Sequence, residues 1–293
     1  MQSTNPVFAR NSEFNGRSTT GPAYPGGGQY AGYGAPSTWS TGTPTDAGYG
    51  GSYGQPGYGT PTGQVDQGRM TIDSVVQKTG ITLIVLVASA LATWVLTPDI
   101  TTETAGAALG LAGLGALVGF GLAMVNSFKR NISPVLVLAY AAAEGLFIGG
   151  FSKYFEAQFP GIVVSAVLGT LAAFIGTLAA YKVLDIQVTP KFRRGVIAAL
   201  IGFVAVSLLD FVLSFFGVAV GVNGYGMLGL LFSVLGLVLG VLMLILDFDY
   251  VERGVAAGLP ERESWRAAFG LTVTIVWLYI EILRILAILR GSD

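Results

Sequence analysis

The chain has 293 residues, 52% of them hydrophobic and only 11% charged, with a formal net charge of −1. A soluble domain carries about 25% charged residues, so this composition reads as several membrane spans, and the near-neutral balance offers no field for a nucleic acid partner. Cysteine and histidine are absent, which excludes disulfides, zinc clusters and His-based triads and leaves proton or cation chemistry to carboxylates, Tyr, Lys and Arg.

Residues 1–70 form one compositional unit. Asn5-Pro6-Val7-Phe8 and Glu13-Phe14-Asn15 are followed by Gly/Tyr/Pro/Thr/Ser sequence with recurring Gly32-Tyr33-Gly34, Gly48-Tyr49-Gly50 and Gly57-Tyr58-Gly59. Such a segment cannot bury enough apolar surface to offset the entropy of ordering, so a disordered tail is expected. Its start is polar and lacks an apolar h-region, so no cleavable signal peptide is expected.

Residues 71–293 read as an all-α membrane domain of seven spans. These run about Thr79–Leu96, Ala105–Val125, Ile132–Phe155, Gly161–Leu184, Gly195–Phe216, Tyr225–Asp247 and Trp265–Leu289. Each is near the ~20 residues a helix needs to cross the hydrocarbon layer. Within lipid, backbone groups need internal partners, so helices are the expected form. Pro260, with Glu261 and Glu263 after it, marks the start of the seventh.

Basic residues alternate between loops. Arg69 and Lys78 precede the first span, Lys129 and Arg130 follow the second, Lys182, Lys191, Arg193 and Arg194 follow the fourth, and Arg253, Arg262 and Arg266 follow the sixth. The positive-inside rule then places the tail in the cytoplasm of a plasma-membrane protein, with the C-terminus outside if the seventh segment crosses fully. Gly106/Gly110, Gly115/Gly119 and Gly236/Gly240 are small residues at i, i+4 that favour close helix packing.

Ionisable residues inside spans are functional candidates by default. Asp247 falls at the cytoplasmic mouth of span six, with Asp249 two residues on and pointing elsewhere. Glu144 lies near the middle of span three, Asp210 in the outer half of span five, and Glu281 with Arg284 in the outer half of span seven. Carboxylates at several depths suit a Ca²⁺ or H⁺ path, with transient Ca²⁺ at Asp247 and Glu144. Structural readings stand beside these. Asp247 and Asp249 are solvated if at a span end, Glu281 and Arg284 neutralise each other at i, i+3, and Asp210 is a protonated donor. No nucleophile elbow, phosphate loop or metal-ligand cluster is present, so neither an enzyme nor a cofactor is expected.

Leu246-Asp247-Phe248-Asp249-Tyr250, Trp265-Arg266-Ala267-Ala268-Phe269-Gly270-Leu271 and Tyr279-Ile280-Glu281-Ile282-Leu283-Arg284-Ile285-Leu286, in that order, resemble the C-terminal signature of the Bax inhibitor-1/YccA family. The N-terminal motifs and Ala143-Glu144-Gly145 resemble a bacterial subgroup of it. The resemblance implies a seven-helix bundle around a central seventh helix. In characterised relatives it also implies a pH-sensitive calcium leak, gated by two aspartates on helices six and seven. The first matches Asp247; the second falls at Thr274, where this chain has no carboxylate. Some bacterial relatives instead modulate a membrane protease. That is a competing, non-conducting role in which the tail and a helix surface bind a protease or another membrane protein.

Overall fold

The computed structural model describes residues 68–101, 103–218 and 220–291. The expected disorder of the tail and the motifs within residues 1–67 lie outside the described residues. The rest forms seven helices in chain order: α1 (Ile72–Leu96), α2 (Ala105–Phe128), α3 (Pro134–Gln158), α4 (Ile162–Val183), α5 (Pro190–Ser214), α6 (Met227–Ala256) and α7 (Glu263–Gly291). All seven contain a segment long and apolar enough to cross a membrane.

Local chemistry sets the helix starts. Thr71 and Ser74 form a reciprocal capping box at α1, each side-chain oxygen accepting the other's backbone N–H at 3.1 Å. Thr189 accepts from Phe192 N at 3.2 Å ahead of Pro190, which opens α5. The Glu156 carboxylate accepts from Gly161 N and Val163 N at 2.6 and 3.0 Å and so covers the N-terminus of α4.

The largest departures from the sequence-based bounds are at α1, α6 and α5, the first two through paired charges and the third through a cap. α1 begins at Ile72 rather than Thr79, because the Lys78 ammonium is buried against Glu261 Oε1 at 2.9 Å. α6 runs beyond Asp247 to Ala256, because Asp249 meets Arg253 and Arg193 while Glu252 accepts the Tyr181 hydroxyl. α5 starts at its Thr189 cap rather than at Gly195. Gly68–Met70, grouped with the tail by composition, belong to the helical domain. Met70 N donates to Leu259 O at 2.7 Å, Glu261 N donates to Gly68 O at 2.7 Å, and the Met70 side chain is 1% exposed.

α7 is long and apolar enough to cross fully, and it is the central helix. It packs against α6, α1, α4 and α3, and 56% of its apolar window is buried against 17% for α5. α5 packs closely on α6 alone among the described helices. The basic loops gather at one end: Arg266 donates to Arg130 O at 2.9 Å and Arg253 to Val188 O at 2.6 Å. At the other end Lys153 donates to Trp94 O at 2.9 Å and Arg290 to Pro160 O at 3.0 Å.

Of the expected glycine pairs, Gly115/Gly119 face α3 and Gly236/Gly240 face α7 with no room for a Cβ. Gly106/Gly110 do not act this way, since open space surrounds both. The tightest helix-on-helix approach is one the sequence pattern did not single out: Gly145 and Gly149 of α3 lie on the Leu86 and Ala90 carbonyl oxygens of α1. Overpacking such a contact costs about 1–3 kcal/mol. Gly145→Ala is therefore expected to lower the apparent thermal midpoint in detergent, followed by tryptophan fluorescence. Gly176→Ala, at a site with open space, leaves it unchanged.

Candidate functional site

α6 and α7 run antiparallel, and their shared seam carries two of the expected acidic residues, Asp247 and Glu281. Nearest the basic end, Asp247 of α6 faces Thr274 of α7, whose hydroxyl lies 2.6 Å from Asp247 Oδ2. The same hydroxyl lies 3.1 Å from Gly270 O, so its one proton has two acceptors in reach. Gly270 also fronts Asp247: a Cβ there would stand 3.3 Å from Oδ1. No ion pair forms at Asp247 among the described residues.

Farther along the seam the contact turns apolar. Leu244 and Leu278 are both 0% exposed, and Leu278 fits against the bare backbone of Gly240. Beyond this plug, Glu281 lies against Gly236, where a Cβ would come within 2.7 Å of the carboxyl. Trp277 Nε1 donates to Gly236 O at 3.0 Å. Ser233 Oγ on α6 is within electrostatic reach of Glu281. The two do not meet hydrogen-bond geometry, and both Ser233 Oγ and Glu281 Oε2 are buried without a hydrogen-bond partner.

The expected Glu281–Arg284 ion pair does not form. Arg284 instead donates to the carbonyl oxygens of Val222 and Gly224 in the α5–α6 loop. Asp210 grips the same loop from the other side: Val220 N and Gly221 N donate to Oδ1 at 2.7 and 3.0 Å, and Asn223 N to Oδ2 at 3.0 Å. Asp210 is thus an acceptor for three backbone groups rather than the protonated donor expected from sequence.

The remaining candidates sit elsewhere. Asp249 points away from Asp247, as two-residue spacing requires. It is 5% exposed and held by Arg253 Nε at 2.8 Å and Arg193 Nη2 at 3.5 Å. The Glu144 carboxylate lies against Gly119 of α2, with no hydrogen bond or ion pair among the described residues. Asp247 and Glu281 therefore share the α6–α7 seam, while Glu144 belongs to the α2–α3 seam. No group of three acidic side chains that could enclose a metal ion occurs among the described residues. Any Ca²⁺ at Asp247 or Glu144 would rest on a single carboxylate, completed by water and carbonyl oxygens.

Sequence reasoning did not single out Gly270, Ser233 or Trp277 as site residues. Gly236/Gly240 gave a usable signal, since a small-residue pair marks a face where another helix approaches closely. Nothing local linked Arg193 to Asp249.

The family model described as "Bax inhibitor 1 like" matches residues 5–291. An uncharacterized protein of Chlamydia muridarum (strain MoPn / Nigg) is 29% identical over 157 residues, covering 52% of this chain and 63% of that relative. The chain thus spans less than two thirds of that relative's length. The chain belongs to the Bax inhibitor 1 like family, and its seven apolar helices make it an integral membrane protein.

The geometry separates a carboxylate that holds a loop from one that lies unpaired in a helix seam. Asp210→Ala would strand three loop N–H groups, at about 1–3 kcal/mol for each unsatisfied group, and should clearly lower the apparent thermal midpoint. Asp247→Asn keeps an acceptor for Thr274 and removes a charge from an apolar seam, so the midpoint should hold or rise.

Proposed function

We propose that this member of the Bax inhibitor 1 like family provides a leak pathway for Ca²⁺ or H⁺, gated on the α6–α7 seam by Asp247 and Thr274. One observation carries the reading: an acidic side chain inside a membrane-spanning helix has no cation beside it and accepts a hydrogen bond from the facing helix. Structural carboxylates inside spans are usually paired; an unpaired one is a functional candidate. The basic loops favour a cytoplasmic location for the Asp247 end in the plasma membrane. Glu281 would form a second station beyond the Leu244–Leu278 plug, and Glu144 would act from the neighbouring seam.

The gate follows from what Thr274 can do. A deprotonated Asp247 accepts the Thr274 proton. A protonated Asp247 donates to Thr274 Oγ1, and Thr274 turns its own proton to Gly270 O. Both protonation states keep the seam joined, so the leak depends only shallowly on pH. An aspartate at position 274 would behave differently, because two facing carboxylates repel when both are charged.

A second observation favours a regulatory role for the tail. It enters the domain at Gly68–Met70, which is hydrogen-bonded to the α6–α7 loop at Leu259 and Glu261. A membrane protease or other membrane partner that engaged the tail would act on the hairpin bearing Asp247.

The test is flux into proteoliposomes loaded with a calcium dye or a pH dye. Wild type should conduct above protein-free vesicles with a shallow pH profile. Asp247→Asn and Glu144→Gln should reduce flux several-fold. Thr274→Asp should add a step that rises with pH as the second carboxylate deprotonates. Flux at the protein-free level, or unchanged in both Asp247→Asn and Glu144→Gln, sinks the leak. Removal of residues 1–67 with flux intact and partner binding lost favours the regulatory role.

A further inference from the structure

Between α5 and α7 lies a cavity of about 430 Å³ that the gate does not use. Its apolar wall is Phe203, Val204, Leu208 and Phe211 of α5 facing Trp277 and Ile280 of α7. Glu281 forms part of the same wall. That side chain is 7% exposed, and its Oε2 has no hydrogen-bond partner. The cavity exists because the α5 backbone approaches α6 closely but not α7, leaving side chains such as Phe203 and Trp277 to bridge the gap.

Access is set by the α5–α6 loop. Asp210 takes three of its N–H groups and Arg284 donates to two of its carbonyls. Ser207 and Asn223, which also border the cavity, close on each other. Ser207 Oγ donates to Asn223 Oδ1 at 2.8 Å, and Asn223 Nδ2 donates to Ser207 O at 2.9 Å. The loop is thus fastened over the end away from Asp247. The exposed flank is that of Leu208 and Phe211, whose side chains face outward from the bundle. In a helix crossing a membrane, that direction is lipid.

We propose that this cavity binds a lipophilic ammonium ion entering sideways from the bilayer, with Glu281 as its counter-ion. An apolar pocket with one unpartnered carboxylate accepts a chain ending in a cation. Phe203 and Trp277, with ring centroids 5.4 Å apart, present aromatic surface beside that carboxylate, and aromatic faces attract ammonium groups. Arg284 is within electrostatic range of Glu281 but makes no ion pair with it, its guanidinium being turned to the loop carbonyls. A fatty acid would set a second carboxylate against Glu281 and is disfavoured.

The inference is independent of the leak, because binding is read without flux. Full-length protein in nanodiscs is titrated with a bromoalkyl trimethylammonium probe, whose bromine quenches Trp277, and with the bromoalkyl alcohol of equal chain length. Wild type should show saturable quenching by the cation, at least tenfold tighter than by the alcohol, and the saturable component should vanish in Trp277→Phe. Glu281→Gln should weaken the cation at least tenfold and leave the alcohol unchanged. Leu208→Trp, which fills the cavity with Glu281 intact, should weaken both probes; its quenching is read in a Trp39→Phe, Trp94→Phe, Trp265→Phe background. Equal affinity for cation and alcohol in wild type overturns the proposal. So does undiminished cation binding in either a folded Glu281→Gln protein or a folded Leu208→Trp protein.

Discussion

α7 must carry Thr272, Thr274, Tyr279, Glu281 and Arg284 through a medium that hydrates nothing. Each of these side chains facing hydrocarbon would cost up to several kcal/mol. The bundle follows from that constraint. α6, α1, α4 and α3 surround α7, and the first four of those residues are buried. The polar groups are then satisfied one by one. Thr272 donates to Ala268 O, Thr274 meets Asp247, and the Tyr279 hydroxyl lies 2.6 Å from Ser152 Oγ. Glu281 Oε2 is the exception, and it lies where the helix jacket is thinnest, on the side that α5 does not cover.

Closing the jacket needs close backbone approach, because lipid tails are as apolar as leucine and give little hydrophobic drive between helices. Gly236 and Gly240 make room for Glu281 and Leu278, and Gly145 and Gly149 let α3 rest on the α1 backbone. The ends are fixed differently. There, basic side chains bind the final carbonyls of neighbouring segments: Lys153 on Trp94 and Thr97, Arg253 on Val188, Arg266 on Arg130. These contacts tie each loop to others on the same face.

Hydropathy made the seven helices legible, because twenty apolar residues in a row have few other uses. The helix ends were less legible. Lys78 and Asp249 read as flanking charges, yet both sit within helices: Lys78 pairs with the distant Glu261, and Asp249 with Arg253 of its own helix and the distant Arg193. Local spacing misled at Arg284 as well. Glu281 stands three residues away, but the α5–α6 loop presents carbonyls that need a donor, and loop pairing is invisible to helical periodicity. Counting along the C-terminal motif did place Thr274 opposite Asp247, and the 2.6 Å hydrogen bond agrees with that register. The α5–α7 cavity left no trace in the sequence, since an absent contact has no pattern of its own.

The two carboxylates on the α6–α7 seam are consequently addressed from different sides. Leu244 and Leu278 separate them, and both are fully buried. A hydrated ion that reaches Asp247 cannot continue to Glu281 unless the helices part, because an apolar constriction of that kind excludes water. Glu281, by contrast, borders a cavity open between α5 and α7 and needs no such parting. A cation lodged there would neutralise Glu281 and wedge α5 from α7 without touching Asp247. Gly236 and Gly240 are the α6 positions packed on Glu281 and Leu278, and neither has a side chain to absorb a shift of α7. The small residues that allow α7 to be buried therefore lie along the seam between Glu281 of α7 and Asp247 of α6.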